Sequence, residues 1–285
     1  MDATTTTFAH CLDFAPRLLN LESTGSTNAD LVAEVRADPE EWPEGSVLLT
    51  QDQRAGRGRL DREWTTPPGS ALAASVVVDA EGVPADARGW LPLIAGVAMT
   101  RAVTRAVRGT GHKVSLKWPN DVLVDGQKIS GILAEMVTGS ERDAIVVGVG
   151  VNTAMTVEQL PVDTATSFAA LGIDADVDLL LVAYLFTISE RWDALRATQG
   201  NPFTAGVHHE VVAVCGTIGT EVLVHLPGGD ELRGEAFGID EFGRLQVRTA
   251  DGTETVVSAG DVVHVRSLHG LACAVLSARA GTMVE

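Results

Sequence analysis

Residues 114–137 read V-S-L-K-W-P-N-D-V-L-V-D-G-Q-K-I-S-G-I-L-A-E-M-V, and this stretch decides much of the fold. Its centre, Asp125-Gly126, is a strong signal for a two-residue hairpin turn, because both residue types accept the positive φ angles that such turns require. The apolar residues on either side predict two strands, Val114–Val124 and Lys128–Val137. The stretch therefore predicts an antiparallel hairpin.

The same stretch, with the residue just before it, contains every lysine of the chain. Of 21 basic residues, only Lys113, Lys117 and Lys128 are lysines, and the others are arginines. A lysine kept where arginine is the default indicates a need for a compact, mobile ammonium group. A regular hairpin pairs Lys128 with Leu123, which is separated from Lys117 by roughly 20 Å of strand. Spacing alone therefore leaves open whether Lys117 and Lys128 converge.

The segment Lys117-Trp118-Pro119-Asn120-Asp121 combines residues that restrict one another. Pro119 fixes its own φ and pushes Trp118 into an extended conformation. Asn120 and Asp121 then lie where a strand breaks, so their polar side chains can face a pocket. A simple strand-ending turn would explain the proline and the asparagine, but not the lysine before them. The segment is therefore interpreted as part of a functional site.

A second segment, residues 53–64, reads Q-R-A-G-R-G-R-L-D-R-E-W and concentrates positive charge in an acidic chain. Arginine side chains match the oxygens of carboxylates and phosphates in bidentate fashion. Gly56 and Gly58 allow backbone N–H groups to approach such a ligand closely. A solvated basic loop is the competing interpretation, but the placement of the lysines favours an anion site. The arginines concerned are Arg54, Arg57, Arg59 and Arg62.

The composition argues against several classes of protein. With 38 acidic and 21 basic residues, the net charge is -17, which opposes non-specific binding to nucleic acid or to anionic membranes. The N-terminus lacks the features of a signal peptide, and the most apolar run, Leu179–Ile188, is about half the length of a membrane span. Cys11, Cys215 and Cys273 suggest neither a disulfide framework nor a zinc site, and they fit a reducing cytoplasm. The histidines show no metal-binding spacing, so no metal-ligating residue is predicted.

Common motifs for nucleotide binding and covalent catalysis are absent from the sequence. Gly148-Val149-Gly150-Val151-Asn152 lacks the third glycine of a dinucleotide-binding fingerprint, and no helix clearly begins after it. Its glycines are better explained by a bulky group that closely approaches the end of a strand. There is no Walker A sequence, no G-x-S-x-G and no Cys/His pairing, so no covalent nucleophile is predicted.

Two domains are predicted, because the character of the sequence changes after about Asn201. Before this point the pattern is that of an α+β domain, and after it short, evenly spaced strands predict a small β-barrel. Besides the hairpin, the first domain is predicted to contain the helices Ala29–Ala37, Trp90–Arg108 and Asp178–Ala197 and the strands Ser46–Gln51, Ala71–Asp79 and Ile145–Val151. The barrel strands are predicted at Glu221–Leu226, Glu231–Phe237, Arg244–Thr249, Glu254–Val257 and Val262–Val265. The resulting domains are 1–206, a barrel at 207–268 and a loosely held tail at 269–285.

Five blocks of the sequence, taken in order, resemble the biotin protein ligase family. Alone, Ser26-Thr27-Asn28 is best explained as the cap of a helix, and Trp64 as core or as a plate for a stacked ring. The family pattern is S-T-N, Q-x-x-G-R-G-R-x-x-R-x-W, K-W-P-N-D, K-x-x-G-I-L-x-E and G-x-G-x-N. Here the blocks are Ser26 to Asn28, Gln53 with Gly56 to Trp64, Lys117 to Asp121, Lys128 with Gly131 to Glu135, and Gly148 to Asn152. One departure is Asp61, where the family usually has glycine; it adds an acid but leaves both arginines of the core pattern in place.

The resemblance implies a fold and an activity. The fold is α+β, with a mixed sheet and helices similar to those of class II aminoacyl-tRNA synthetases, followed by a small SH3-like β-barrel. The enzyme is a biotin–[acetyl-CoA-carboxylase] ligase, which uses ATP and Mg²⁺ to form biotinyl-5′-AMP and then transfers biotin to a lysine of a biotin carboxyl carrier domain. Phosphoryl transfer mainly needs positioning and neutralised charge, which agrees with the absence of a protein nucleophile. A homodimer is compatible with the resemblance.

The resemblance also assigns roles to single residues. Lys128 would hold the biotin carboxyl and α-phosphate oxygens, and Asp121 would place the carrier lysine. The residues assigned to catalysis are Arg57, Arg59, Lys117, Lys128 and Asp121. The residues assigned to biotin are Ser26, Thr27, Asn28, Gln53, Arg57, Gly58, Arg59, Lys128 and Gly131. The residues assigned to ATP and the adenylate are Trp64, Lys117, Asn120, Gly150 and Asn152.

Two other functions are weighed against this one. A lipoate ligase or octanoyl transferase on the same fold would carry an R-R-x-S-G-G-G type loop, which the sequence lacks. A biotin-sensing repressor would carry an N-terminal helix-turn-helix domain, for which the sequence before about Ser26 leaves no room. The monofunctional class is therefore expected, and sequence-specific DNA binding is not.

Overall fold

The structure, a computed structural model, describes residues 8–59, 62–138, 142–226, 229–258 and 261–264. Asp61 and the predicted tail at 269–285 lie outside these residues. The contacts within the chain divide it into two compact units. The first unit extends to Gly216 and includes Glu241–Gly243, and the second begins at Thr217.

The helices of the first unit follow the apolar periodicity of the sequence. The three predicted helices are confirmed with small shifts at their ends, whereas two short ones, at 9–14 and 207–214, are not predicted. No helix among the described residues is long and apolar enough to cross a lipid bilayer. The described helices are α1 (Ala9–Phe14), α2 (Thr27–Ala37), α3 (Leu91–Ala106), α4 (Val177–Ala197) and α5 (Val207–Val214).

The strands of the first unit are β1 (Leu18–Leu21), β2 (Val47–Thr50), β3 (Gly56–Arg57), β4 (Glu63–Trp64), β5 (Ala71–Asp79), β6 (Val114–Lys117), β7 (Asp121–Val124), β8 (Gln127–Val137) and β9 (Ala144–Asn152). Seven of them form one mixed sheet in the order β1-β2-β5-β9-β8-β7-β6. Strands β1 and β2 are parallel, and the other neighbours are antiparallel. Strands β3 and β4 form a separate two-stranded hairpin.

The strand predicted at Val114–Val124 is divided into two strands, β6 and β7, and the break expected at Pro119 is confirmed. The chain reverses between β6 and β7, so that Lys117 pairs with Asp121 in an antiparallel hairpin. Pro119 lies in this reversal, after a cis Trp118–Pro119 peptide bond. Proline has no N–H to donate to a sheet ladder, so a central strand does not continue through it. Lys117 is therefore not held away from the next hairpin by a straight length of strand.

The predicted turn at Asp125-Gly126 is confirmed. The two residues have φ angles of 50° and 83°, as a two-residue hairpin of this type requires. Lys128 pairs with Leu123, which is also the predicted register.

The hairpin of β7 and β8 is nevertheless not regular. Val122, the neighbour of Leu123, pairs with Ser130 rather than with Ile129. Ile129 is therefore an extra residue in β8, as in a β-bulge. Its side chain is fully buried.

Helices cover both faces of the seven-stranded sheet. Val77 of β5 packs in an apolar cluster with α2, whereas Val76 and Val78 line a cavity of about 280 Å³ together with residues of α4. Because successive residues of a strand point to opposite faces, α2 and α4 lie on opposite faces of the sheet. The other buried members of the α2 cluster are Leu31, Val35, Trp42, Leu48, Val137, Ala144 and Val146.

The second unit is a five-stranded antiparallel sheet formed by β10 (Thr220–His225), β11 (Glu231–Ile239), β12 (Leu245–Arg248), β13 (Glu254–Val257) and β14 (Asp261–His264). The strands pair in the order β13-β12-β11-β10-β14. Apolar residues from them form a core of their own, which agrees with the predicted barrel-like domain. The buried apolar residues of this unit include Val222, Val224, Ala236, Leu245, Val247, Val257 and Val262.

The division between the units differs from the predicted boundary at residue 206. Helix α5 lies between the two positions, and Cys215 at its end forms a bridge to Leu116 of β6. Gly216 N donates a hydrogen bond to Leu116 O at 2.9 Å. These contacts keep α5 with the first unit, and the second unit begins after Gly216.

Candidate active site

The N-terminus of α2 forms the first part of the site. Ser26 caps the helix, because its side-chain oxygen accepts a hydrogen bond from Ala29 N at 3.4 Å. Ser26, Thr27 and Asn28 are all buried. The capping role predicted for Ser26 is thus confirmed, and it holds the next two side chains close to the sheet.

Thr27 is joined directly to Gln53, the first residue of the arginine segment. Gln53 Oε1 accepts a hydrogen bond from Thr27 N at 2.9 Å and lies 3.2 Å from Thr27 Oγ1. Ser75 of β5 adds its hydroxyl group, which lies 2.8 Å from Thr27 Oγ1. The start of the arginine segment is therefore tied to both α2 and the sheet.

Asn28 is held by the sheet through its whole amide group. Asn28 Nδ2 donates to Leu133 O at 3.1 Å and to Glu135 Oε2 at 2.8 Å, and Asn28 Oδ1 accepts from Ser75 Oγ at 2.6 Å. An amide carries two donor hydrogens, so both are engaged with protein acceptors. A Cβ at Gly148 would lie 2.1 Å from Asn28 Oδ1. Asn28 therefore needs glycine at position 148.

The arginine segment folds into the β3–β4 hairpin, beside a cleft of about 680 Å³. All four arginines predicted to gather in this segment line the cleft, as do Leu133 and Glu135 of β8. Gly58 N donates to Arg62 O at 2.6 Å. The gathering of the arginines is therefore confirmed, and an anion bound in the cleft stays a prediction.

Arginines of this segment contact acceptors of the protein itself. Arg57 Nη2 lies 3.1 Å from Glu135 Oε1, and Arg54 Nη2 lies 2.8 Å from Asp52 Oδ2. Arg59 Nη1 donates to Asn120 Oδ1 at 3.3 Å. The Arg57 side chain is 51% exposed, and an exposed ion pair contributes about 0–1 kcal/mol. The Arg57 guanidinium therefore stays accessible from the cleft while Glu135 contacts it.

The structure answers the question of whether the lysines converge. Lys128 Nζ lies 2.6 Å from Asp121 Oδ1, and Asp121 is the residue opposite Lys117 in the β6–β7 hairpin. The reversal of the chain before Asp121 thus brings the Lys117 strand next to the carboxylate that binds Lys128. Asp121 is the common neighbour of the two lysines.

Trp64 packs against a glycine of the sheet. A Cβ at Gly150 would lie 2.7 Å from Trp64 Cε2, and Gly150 pairs with Gly131 of β8. Lys128 Nζ lies 5.6 Å from the centre of the Trp64 ring, within the range of a cation–π contact. The predicted close approach to the glycines of β9 is confirmed, and the groups that approach are Trp64 and Asn28.

Asn120 and Asn152 are tied to the main chain. Asn120 Nδ2 donates to Ile132 O at 2.6 Å, and Asn152 Nδ2 donates to Thr166 O at 2.8 Å. Asn152 Oδ1 is buried without a hydrogen-bond partner. Each amide therefore fixes a segment next to β8 or β9, and the oxygen of Asn152 stays available as an acceptor.

The sequence analysis misses two residues that belong to this site, Ser75 and Glu135. Glu135 ends the fourth sequence block but receives no role there, although it contacts both Arg57 and Asn28. Ser75 is 1% exposed and is the one polar residue in the apolar run Ala71–Val78. A buried hydroxyl in such a run is the signal that could have identified it.

Two family models match the chain. Residues 21–152 match the biotin/lipoate A/B protein ligase family, and residues 217–265 match the biotin protein ligase C-terminal domain. The biotin–[acetyl-CoA-carboxylase] ligase of Mycobacterium tuberculosis is 39% identical over 244 residues, which cover 85% of this chain and 87% of the relative. The chain belongs to the biotin protein ligase family.

Other biotin protein ligases give the same result. The biotin–[acetyl-CoA-carboxylase] ligase of Paracoccus denitrificans is 33% identical over 220 residues, covering 74% of this chain and 88% of the relative. The structure of biotin protein ligase from Aquifex aeolicus in complex with biotin and ATP aligns with a TM-score of 0.68 and 27% identity, covering 88% of this chain and all of that chain. The predicted fold is confirmed, and the activity is ATP-dependent ligation of biotin. The lipoate ligase alternative is supported only by the family model that the two enzymes share.

Proposed function

We propose that this biotin protein ligase works in two steps on the residues described above. A carboxylate oxygen of biotin attacks the α-phosphorus of ATP, the bond to the β-phosphate breaks, and pyrophosphate leaves. The uncharged amine of a carrier lysine then attacks the acyl carbon of biotinyl-5′-AMP, AMP leaves, and an amide forms with loss of a proton. The observation that supports this best is the Lys128 ammonium, which lies between Asp121 and the ring of Trp64.

In the first step, positive charge neutralises the reacting oxygens. Lys128 would contact the biotin carboxyl and the α-phosphate, and Lys117 would act on the ATP phosphates. Arg57 and Arg59, with the backbone of Gly58, would close over biotin and the adenylate. Positioned charges of this kind, rather than a nucleophile, are what phosphoryl transfer needs.

Biotin would lie between the start of α2 and the arginine segment. Ser26, Thr27 and Gln53 are buried polar groups at this place, and a ureido ring offers both donors and an acceptor to them. Asn28 would support the biotin site from the side of the sheet, because both hydrogens of its amide group are engaged with Leu133 and Glu135. Gly131 would leave room for the ligand, since a Cβ there would lie 3.0 Å from Lys128 Nζ.

The adenylate would lie near Trp64, with Asn120, Gly150 and Asn152 around it. The indole Nε1 of Trp64 is buried without a hydrogen-bond partner, and the ring offers a flat apolar surface to a base. The buried oxygen of Asn152 likewise lacks a partner. One of these groups packs on Gly150 and the other ends the same strand. They support a polar ligand at this end of β9, because buried polar groups are rarely left unsatisfied.

Replacement of Gly150 by alanine tests the ATP site. The added Cβ would displace the Trp64 ring, which lies 2.7 Å from it. We expect the KM for ATP to rise roughly fivefold, because the stacking contact between the base and the Trp64 ring, worth about 1 kcal/mol, is lost. The KM for biotin should change little. Gly25→Ala is the matched control, since a Cβ at Gly25 meets nothing within 4 Å. Equal ATP KM values for the two variants would contradict the role of Trp64.

In the second step, Asp121 would place the carrier lysine. Its carboxylate binds Lys128 at 2.6 Å, and once the adenylate has formed the same carboxylate can accept a hydrogen bond from the incoming amine before AMP leaves. The carrier protein is a substrate class that the family implies. A homodimer and a cytoplasmic location stay predictions.

Mg²⁺ would arrive with ATP and would neutralise part of the phosphate charge. Among the described residues, no group of three or more His, Cys, Asp or Glu side chains is arranged to hold a metal ion. Asp121 and Glu135 are each engaged with a basic side chain. This donor set fits a metal held mainly by phosphates and water, as Mg²⁺ often is.

The decisive experiment compares substrates in pyrophosphate exchange. The protein is incubated with ATP, Mg²⁺ and labelled pyrophosphate, with either biotin or lipoate as the acid. We expect exchange that depends on biotin and not on lipoate, followed by release of AMP when a biotin carboxyl carrier domain is added. Exchange that depends on lipoate alone would overturn the proposal.

A further inference from the structure

A buried chain of polar side chains connects the two parts of the biotin site. It begins at Gln53, passes through side chains of α2, β5 and β8, and ends at the exposed guanidinium of Arg57. Each step is a contact of 3.2 Å or less. In order, the members are Gln53, Thr27, Ser75, Asn28, Glu135 and Arg57.

The directions of the hydrogen bonds in this chain are fixed from the Glu135 end. A carboxylate and a carbonyl accept only, so the Nδ2 group of Asn28 must face Glu135 and Leu133. The Oδ1 atom of Asn28 therefore faces Ser75 and needs a donor. Ser75 supplies the donor with its one hydroxyl proton, over 2.6 Å.

The orientation of Gln53 is set by Thr27, the next member of the chain, through its backbone N–H group. Since the proton of Ser75 points to Asn28, the hydroxyl of Thr27 is left to donate, either to Ser75 Oγ or to Gln53 Oε1. Gln53 Oε1 also accepts from Thr27 N, so the amide nitrogen of Gln53 must point away from α2. It lies against Gly56, where an added Cβ would be 2.3 Å from Gln53 Nε2. The donor end of Gln53 is thus presented at the arginine segment.

We propose that Ser75 and Glu135 are positioning residues for biotin, which act through Thr27, Gln53 and Arg57 rather than by touching the ligand. The inference rests on the proposed biotin site. Glu135 orients Asn28 and holds Arg57 of the hairpin, and Ser75 joins Asn28 to Thr27, whose N–H group and hydroxyl hold Gln53. The side chains on both sides of biotin are therefore set by one hydrogen-bonded unit.

Ser75→Ala removes the central link without adding volume. We expect the KM for biotin in pyrophosphate exchange to rise roughly tenfold, which corresponds to the loss of one buried hydrogen bond, while kcat stays within about twofold because the contact is the same in ground state and transition state. Ser46→Ala is the matched control. The Ser46 hydroxyl is also fully buried but has no hydrogen-bond partner, so this variant should keep the wild-type KM for biotin.

The second variant tests the other end of the chain. Glu135→Gln keeps the shape of the side chain and one hydrogen-bond acceptor. Because 27% of the Glu135 side chain is accessible, this variant should fold even if Ser75→Ala does not. We expect its KM for biotin to rise severalfold, and Glu135→Ala to raise it further. The double variant Ser75→Ala/Glu135→Gln should be no worse than the poorer single variant, because residues in one network are not additive.

Three results would overturn the proposal: an unchanged biotin KM in folded Ser75→Ala, an equal rise in Ser46→Ala, or effects of Ser75→Ala and Glu135→Gln that multiply in the double variant. If Ser75→Ala does not fold, an unchanged biotin KM in Glu135→Gln overturns it. Failure of the proposed function gives a different result, because wild-type protein would then show no biotin-dependent exchange at all.

Discussion

Replacement of Lys128 by alanine is expected to slow biotin adenylation by roughly 10²- to 10³-fold, the effect of removing one charge-stabilising group from a transition state. The ammonium group lies 2.6 Å from Asp121 and 3.0 Å from the position of an added Cβ at Gly131. The pair with Asp121 is partly exposed, so its loss should change the free energy of unfolding by no more than about 1 kcal/mol. Pyrophosphate exchange and thermal unfolding, measured together, separate the two effects.

Lys128→Arg should be almost as poor as the alanine variant. A guanidinium is a wide, planar group, and the space beside Gly131 and the ring of Trp64 holds a compact ammonium. Lys113→Ala is the matched control, because Lys113 is an exposed lysine near the same hairpin. Full activity of Lys128→Arg would contradict the inference drawn from the placement of the lysines. Slow biotin adenylation by Lys113→Ala would show that the loss is not specific to position 128.

Replacement of Arg59 by alanine is expected to speed the release of biotinyl-5′-AMP by roughly 10- to 100-fold, which corresponds to the loss of a charge-assisted hydrogen bond of about 1.5–3 kcal/mol. Without a ligand, Arg59 contacts Asn120 at 3.3 Å, and with the adenylate it would turn to the phosphate. Arg57→Ala should act in the same direction. Released adenylate would label lysines of unrelated proteins, which a biotin blot measures.

Arg54→Ala is the control for the arginine hairpin. Arg54 lies in the same segment, but it is 68% exposed and pairs with its neighbour Asp52, so its removal should leave adenylate release unchanged.

Hydrogen exchange of residues 54–59 should slow when biotinyl-5′-AMP binds, because the ligand supplies contacts that the empty protein lacks. Exchange that is equally slow with and without ligand would count against closure of this segment.

Much of the fold can be predicted from the sequence where one signal is strong and local. Asp125-Gly126 determines both the turn and the pairing of Lys128 with Leu123, because glycine and aspartate accept the required φ angles. The break at Pro119 can be predicted too, because proline cannot donate to a sheet ladder, but a break can bend a strand or reverse it. Only the pairing of Lys117 with Asp121 shows that the chain reverses. Short elements such as α1 and β1 have too few residues to show a period.

The site could be predicted as a set of residues but not as an arrangement. The order of the five blocks identifies the residues, whereas the salt bridge of Lys128 with Asp121 depends on two successive chain reversals. Ser75 is not predicted from the sequence, for a different reason. One serine in a strand of apolar residues has no neighbouring pattern, and its function comes only from α2, which packs over it.

The extra residue Ile129 in β8 determines the face of the sheet from which the Lys128 side chain projects. Side chains alternate along a strand, so in a regular strand Lys128 would share the orientation of Ser130, on the side away from Glu135. The insertion shifts the alternation by one, and Lys128 comes to face the same side as Gly131 and Glu135. The alternation of one strand thus puts Lys128, which is proposed to hold the carboxyl end of biotin, and Glu135, which contacts Arg57, on a common surface. A regular pairing that kept Ile129 in the ladder would turn Lys128 to the opposite face, whereas deletion of Ile129 would leave a regular strand with Lys128 still on the side of Gly131.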